Sequence, residues 1–215
     1  MTSFPGSPRV LKGAIVAVDP FNPLASVVVF QYNPETLTRT VRPKVAGEGA
    51  ERGEALRLSG PPEESITVEI ALDAADGLET GDGLTVAHGV GPSLAALEML
   101  VYPKSALVIG NEVLAALGVI EVIPPQAPLT LFVWGPKRVL PVRITDFTIA
   151  EQAFDPALNP ILATVTLGLR VMTYQDLGLP SVGGALSLAS QVAKEVLATS
   201  AGVGTLAATG AAVGG

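Results

Sequence analysis

Between Ile161 and Met172 the chain alternates without a break. Ile161, Ala163, Val165, Leu167, Leu169 and Val171 fall on one parity, and Leu162, Thr164, Thr166, Gly168, Arg170 and Met172 on the other. A period of two over this length excludes a helix. It describes a long strand with one apolar face and one mixed, partly polar face. Two further strands precede it. Leu129–Trp134 is apolar and β-rich, and Gly135-Pro136-Lys137-Arg138 supplies turn chemistry. The chain then returns from Val139 to about Ile149, with Val142 and Ile144 on one parity but Phe147 and Ile149 on the other. That flip near Thr145-Asp146 predicts a β-bulge, because one inserted residue moves the following side chains to the opposite face. The loop Asp155–Pro160 separates this strand from the last one.

Earlier in the chain, Arg9–Val18 and Ser26–Tyr32 read as strands joined by the turn-rich Asp19–Pro23. Val27–Phe30 is uninterrupted and apolar, which is consistent with burial on both faces. Asn33-Pro34 ends it, since proline restricts its predecessor and cannot donate to a ladder. Ser65–Asp73 is another amphipathic strand, with Ile66, Val68, Ile70 and Leu72 opposite Ser65, Thr67, Glu69 and Ala71. Asp73, Asp76, Glu79 and Asp82 follow in a Gly-rich stretch. Their spacing does not match a calcium-binding loop, and a solvated acidic loop is expected. Pro92-Ser93 opens a short helix, Leu94–Val101, with Ser93 in position to cap it and Tyr102-Pro103 closing it.

Ser105–Ile123 is apolar enough to need a membrane test. Asn111, Glu112, Gly118 and Glu121 interrupt it, and a charge near the bilayer centre costs about 2.5–3.5 kcal/mol. A buried helix, or a helix–strand pair covering the sheet, is therefore expected instead of a span. After Leu179-Pro180 the composition shifts to Gly, Ala, Ser, Thr, Val and Leu, so residues 1–178 read as one β domain and 179–215 as an extension. Ala185–Leu197 has Leu188, Val192 and Val196 at four-residue spacing, as in a short helix. From Thr199 onward the glycine content argues against persistent structure unless a partner orders it.

Only 15% of the residues are charged while 48% are hydrophobic, a surface poorer in charge than a monomer normally carries; an assembly subunit hides much of it against neighbours. The net charge of −7, with scattered Lys and Arg, argues against nucleic-acid binding. There is no cysteine, hence no thiol chemistry or disulfide scaffold, and the N-terminal residues lack a signal-peptide pattern. A cytoplasmic location is expected. His88, the single histidine, lies in Ala87-His88-Gly89-Val90-Gly91 with no second histidine to share a metal. Neither Gly89-Val90-Gly91 nor Gly202-Val203-Gly204 has the third glycine of a dinucleotide loop, and Ala198–Gly202 around Ser200 lacks the first glycine of a nucleophile elbow. No acid, base and nucleophile come together, so no enzyme, metal or cofactor is expected.

The string LFVWGPKRVLPVRITDFTIAEQAFDPALNPILATVTLGLRVMTYQDL resembles the end of the tube-protein domain of contractile injection systems. It is closer still to the tube-like, baseplate-proximal components of phage-tail-derived extracellular injection particles. FQYNPETLTRT (Phe30–Thr40) matches the aromatic-x-aromatic-Asn-Pro opening of that domain, so the resemblance spans roughly residues 10–177. Several relatives carry a peptidoglycan-binding LysM module next; none follows here, and cell-wall binding is not expected. The resemblance implies a mainly β fold of two packed antiparallel sheets or a small barrel, with one flanking helix and the apolar insertion 105–123. It also implies a hexameric ring of identical copies between the spike-bearing hub and the inner tube, with neither nucleic acid nor membrane as a partner. The alternatives are a main tube-shaft subunit and a monomeric β-sandwich binding module.

Arg42, Lys44, Glu48, Glu51, Arg52 and Arg57 alternate in sign within 42–62, among glycines and prolines. Taken alone this is a solvated surface loop; the resemblance implies an excursion that reaches a neighbouring subunit. Asn33, Pro34 and Trp134 join the subunit-contact candidates, although Trp134 reads first as a core or rim aromatic. The mixed faces of Ser65–Asp73 and Ile161–Met172 make Thr67, Glu69, Thr164, Thr166 and Arg170 candidates for the channel lining.

Overall fold

A computed structural model describes residues 11–18, 27–45, 58–103, 105–116 and 128–213, with side chains as far as residue 201. Seven strands form one antiparallel sheet: β1 (Ala14–Val18), β2 (Val27–Val29), β3 (Leu37–Arg42), β4 (Glu63–Asp73), β5 (Leu129–Val133), β6 (Val139–Phe154) and β7 (Pro160–Val171). Their order is β2-β1-β5-β6-β7-β4-β3. The mainly β expectation holds, but among the described residues the strands make one sheet and not two packed ones, and no ladder joins β2 to β3 to close a barrel.

The sheet instead curls around one core. Ile15, Phe30 and Phe132 from its first half are buried in the same cluster as Ile66, Val68, Ile70, Val165, Leu167 and Leu169 from its second. Fully burying aliphatic side chains of this kind stabilises by about 1.5–3 kcal/mol each. Side-chain amides in the link after β2 span the open seam. Gln31 Nε2 donates to Asp73 O at 2.8 Å, and Asp73 N donates to Gln31 Oε1 at 2.9 Å. Two residues on, Asn33 repeats the device on the other side: its Oδ1 accepts from Gly13 N at 2.8 Å and its Nδ2 donates to Leu11 O at 2.7 Å. Each amide stands in for a peptide unit where no strand is available.

The alternation in β7 and β4 is as the sequence reads. Ala163, Val165, Leu167, Leu169 and Val171 are buried, as are Ile66, Val68, Ile70 and Leu72, while the intervening residues are half-buried or exposed. The bulge also forms, as a register shift in β6 between Ile144 and Asp146. Asp146 then faces Gly168, where an added Cβ would lie 2.6 Å from Asp146 Oδ2 and 2.9 Å from its Cβ. The glycine in the middle of the best strand is therefore what lets the bulge close against it. β6 runs on to Phe154, past the expected end at Ile149, because β7 pairs with it throughout. At the tip, Asp155 Oδ1 accepts from the main-chain nitrogens of Ala157 and Asn159. Its Oδ2 accepts from Asn159 Nδ2, and these bonds from Asn159 hold its carboxyl below the usual range.

Other expectations need correction. Within Val27–Phe30, Val27 and Val29 are exposed while Val28 and Phe30 are buried, because β2 is an edge strand with one packed face, not a strand buried on both. The acidic stretch forms two short helices, α1 (Ala75–Thr80) and α2 (Gly83–His88), with Asp82 capping α2 by accepting from Thr85 N. Asp76, Glu79 and Asp82 are nevertheless solvent-exposed, Asp73 is half-buried at the end of β4, and His88 is a surface residue at the end of α2. α3 (Gly91–Glu98) starts earlier than expected, with Val90 at the cap and Pro92 in the first turn, where its missing N–H costs nothing. Leu94, Leu97 and Leu100 plug one end of the curled sheet, and the single flanking helix of expectation is this one among several.

α4 (Ser105–Ala116) is helical as expected, but Val108, Ile109 and Val113 are exposed, so it does not cover the sheet with a buried face. The rest of that apolar stretch, 117–123, lies outside the described residues. After the short α5 (Tyr174–Leu177), α6 runs Val182–Val213, well beyond the expected stop at Thr199. Alanine and leucine carry the helix through its scattered glycines, each of which costs up to about 1 kcal/mol. Among the described residues no helix is long and apolar enough to cross a membrane.

The two parities of β7 should respond oppositely to charge. Val165→Asp and Leu167→Asp strand an unpaired carboxylate in the core at a cost of several kcal/mol and should abolish the folded circular-dichroism signal. Thr164→Asp, which faces Ala71 and Ala150 across the ladder, should melt within a few degrees of the parent. Equal damage from both would mean that the strand is covered on both sides.

Candidate functional site: a polar sheet face and a buried carboxylate at its mouth

The ladders β6–β7–β4–β3 set the outward residues in rows. Thr148 pairs with Thr166, which pairs with Glu69. Asp146 faces Gly168, then Thr67, then Thr38, and Ala150 faces Thr164, then Ala71. Arg143 faces Arg170, then Ser65, then Thr40. The structure thus brings Thr67, Glu69, Thr164, Thr166 and Arg170 onto one face, the first two exposed and the others half-buried. This face is broad and made mostly of small hydroxyl, glycine and alanine positions, with Glu69 and Asp146 in its middle rows and Arg143 and Arg170 at one end. Among the described residues, its two borders have no strand beyond them. β3 is one edge of the sheet, and β6 beyond Val142 pairs only with β7, because β5 ends its ladder there.

The subunit-contact candidates among the described residues do not converge. Arg42 closes β3 opposite Glu63, and Lys44 lies at the neck of the charged excursion, where Ser59 N donates to Lys44 O at 2.8 Å. Asn33 spends its amide on its own chain, as above, and Pro34 follows it in the β2–β3 link. Trp134 is half-buried, stacked on Phe132 with ring centroids 5.8 Å apart and tilted against Phe30 at 6.5 Å. Its packing is that of a rim aromatic completing the core. Glu48, Glu51, Arg52 and Arg57 lie outside the described residues.

Sequence reasoning missed the most costly group. Glu64 occupies the core parity of β4, two residues before Ile66, and is only 6% exposed. Lys194 from α6 donates to its Oε2 at 2.8 Å. Arg39 Nε lies 3.1 Å from Oε1, near enough for charge pairing, yet Oε1 receives no hydrogen bond. The signal was present: a charge continuing the apolar parity of Ile66, Val68 and Ile70 marks a carboxylate that needs a partner from elsewhere. Beginning the strand at Ser65 hid it. Beside it opens a cleft of about 470 Å³ between α6, the 58–62 segment and the inward ends of β6 and β7.

On the outward side of the same end, Arg170 Nη2 lies 3.4 Å from Asp176 Oδ1 and 3.6 Å from Glu63 Oε1. Asp176 also caps α5, accepting from Thr173 N and Thr173 Oγ1 at 2.8 Å each. Burial pushes the Asp176 carboxyl up, but the bonds from Thr173, with Arg170 and Lys44 adding attraction, outweigh it and leave the group below its usual value. No protein-family model matches the chain, and no characterised protein matches it either.

A carboxyl depressed in the folded state stabilises fully above its unfolded value, here 3.8, and loses that contribution as pH falls through the lower folded value. Asp176→Asn should therefore lower the urea midpoint at neutral pH. The gap from the parent should close in acid, below the folded value. A gap that is constant with pH would show that the ionised carboxylate is not what stabilises this corner.

Proposed function

We propose that this chain is a structural, ring-forming component of a contractile injection system, connecting the baseplate hub and spike to the inner tube. One observation carries the reading. The β6–β7–β4–β3 face is broad and polar, with threonines among Glu69, Asp146, Arg143 and Arg170, and it is bordered on both sides by strands with no further ladder partner among the described residues. Exposed edges of this length invite pairing with another chain, and a heterologous contact that closes on itself makes a ring. Six copies joined edge to edge would line a channel with Thr67, Thr148, Thr164 and Thr166, side chains that hydrate well and hold no fixed counter-charge. The resemblance of the β5–β7 stretch and of Phe30–Thr40 to tube-protein domains supports the same reading.

An adaptor layer fits the chain better than a repeated shaft subunit. α6 has 32 residues and is about 48 Å long at 1.5 Å per residue. It leaves Leu188, Val192 and Val196 exposed. Every layer of a shaft would have to accommodate that helix, whereas a single layer at the end of the tube accommodates it once. The ring would assemble in the cytoplasm and act as part of the particle.

Native mass spectrometry of the purified chain, alone or with its hub partner, should show a hexamer, and electron micrographs should show single rings instead of long tubes. A stable monomer that refuses to enter particles would sink the ring; extended tubes would move the assignment to the shaft. Deleting Gly47–Gly53 should leave the circular-dichroism spectrum intact but stop ring assembly. Unchanged assembly would return the excursion to the role of a solvated loop.

A further inference from the structure

α6 carries a second face, turned away from its seat on the sheet. Starting at Val182, alternating steps of three and four residues reach Val213 without a slip. Val182, Val192, Val196, Val203, Leu206 and Val213 fall on those steps, six of the nine Val and Leu residues of the helix. The remaining steps hold Ala, Thr or Gly, and no charged residue falls among them. As far as Thr199 each of these positions is exposed. Ser187, Ser190 and Lys194 mark the other side of the helix, the serines in the cleft wall and Lys194 on Glu64. At about 100° per residue the two faces lie roughly 160° apart, so this seam is not one that the chain's own core can cover.

The period restricts what does cover it. A seven-residue repeat drifts by about 20° per heptad around a straight helix. Over the 32 residues of α6 the drift reaches about 80–90°. A flat partner, whether a sheet or a bilayer surface, would therefore meet the seam over only part of its length. A second helix with the same repeat, coiled around α6, follows it throughout. Among the described residues the next longest helix, α4, has 12 residues and is too short to do so. A second α6 has the matching length and repeat, and it is present wherever this chain is. The area fits such a pair. A seam of 32 residues, about 48 Å long and about 10 Å wide, covers about 480 Å² on each copy, close to 1,000 Å² for two. That is the lower limit for a specific interface, so the pairing is reversible and depends on concentration.

We propose that α6 pairs with α6 of a second copy as a two-helix coiled coil along the Val182–Val213 seam. This goes beyond the ring reading and does not depend on it, since two copies suffice. The test is sedimentation of the full chain across a range of concentrations, beside variants on and off the seam.

The parent should associate as concentration rises. Val192→Glu combined with Val196→Glu places a good helix former at two exposed positions and should leave the folded circular-dichroism signal intact. It should raise the midpoint concentration for association by about a hundredfold or more. Leu197→Glu is the control: Leu197 is 65% exposed against 63% for Val196 but lies off the seam, and the midpoint should not move. Mixing the double-Glu chain with a chain carrying Val192→Lys and Val196→Lys should restore association, because the seam meets its own copy. A parent that stays monomeric, a midpoint moved less than tenfold by the double-Glu change, an equal loss in Leu197→Glu, or no rescue on mixing would overturn the proposal. Deleting Gly47–Gly53 should remove the hexamer and leave the α6 pair, so a failed seam and a failed ring are told apart.

Discussion

Everything on both sides of the seam depends on the paired hydrogen bonds between the Gln31 amide and the main chain of Asp73. Gln31 follows β2 at one border of the sheet, and Asp73 ends β4 next to the other border. Holding them together bends the sheet so that Phe30, Phe132 and Ile15 share a core with Val68, Ile70 and Val165. An open flat sheet with these sequences would leave the inner face of both halves in water. A side-chain amide suits this place because the link must turn away into β3 here, and a strand continued in register would have no room to do so. Asn33, bound to Leu11 and Gly13, fixes the other end of the same link. The Asn-Pro pair in the sequence is thus less a strand terminator than a hinge with both hydrogen-bonding faces engaged.

How much of this was legible depends on the range over which each interaction acts. The alternation of β7, the parity of β4 and the bulge at Thr145-Asp146 are properties of neighbouring side chains on one pleat, and sequence alone carries them. Gly168 was visible as an interruption, but its reason, the close approach of Asp146, requires the register between β6 and β7. The seam bonds of Gln31 and the Lys194–Glu64 pair join residues far apart in sequence, and no local pattern announces them. α4 was misjudged for a related reason. Its apolar residues satisfy a helix pattern, yet whether the chain itself buries that face depends on where the sheet lies, and Ile109 and Val113 stay exposed. On the polar face, residue types were readable from parity, while the rows across four strands appeared only with the register.

Glu64 shows what the fold gives up to hold α6. Placing a carboxylate on the core parity costs several kcal/mol that an apolar residue there would not, and one cation from β3 and one from α6 offset it only in part. The arrangement makes the seat of α6 specific. Gly183 packs on the Leu177 side chain and Gly184 so tightly on the Gly178 carbonyl that no Cβ fits there, and Lys194 fixes the helix again three turns on. A helix clamped at its base and at one charged point has a defined direction without being buried along its length.

That direction bears on what the exposed apolar residues are for. The buried core is built without Val108, Ile109 and Val113 on α4 and without Leu188, Val192 and Val196 on α6, all of which are exposed. The hydrophobic effect acts on them as on any other apolar surface, about 25 cal/mol for each Å² removed from water. Isolated exposed residues need no explanation, but two helices that each present several at helical spacing are another matter. The sheet contributes the opposite kind of surface, polar side chains between strands with no further ladder partner among the described residues. In the ring we propose, the polar face would line the channel, and neighbouring copies would cover the apolar helix residues that the chain's own core leaves in water.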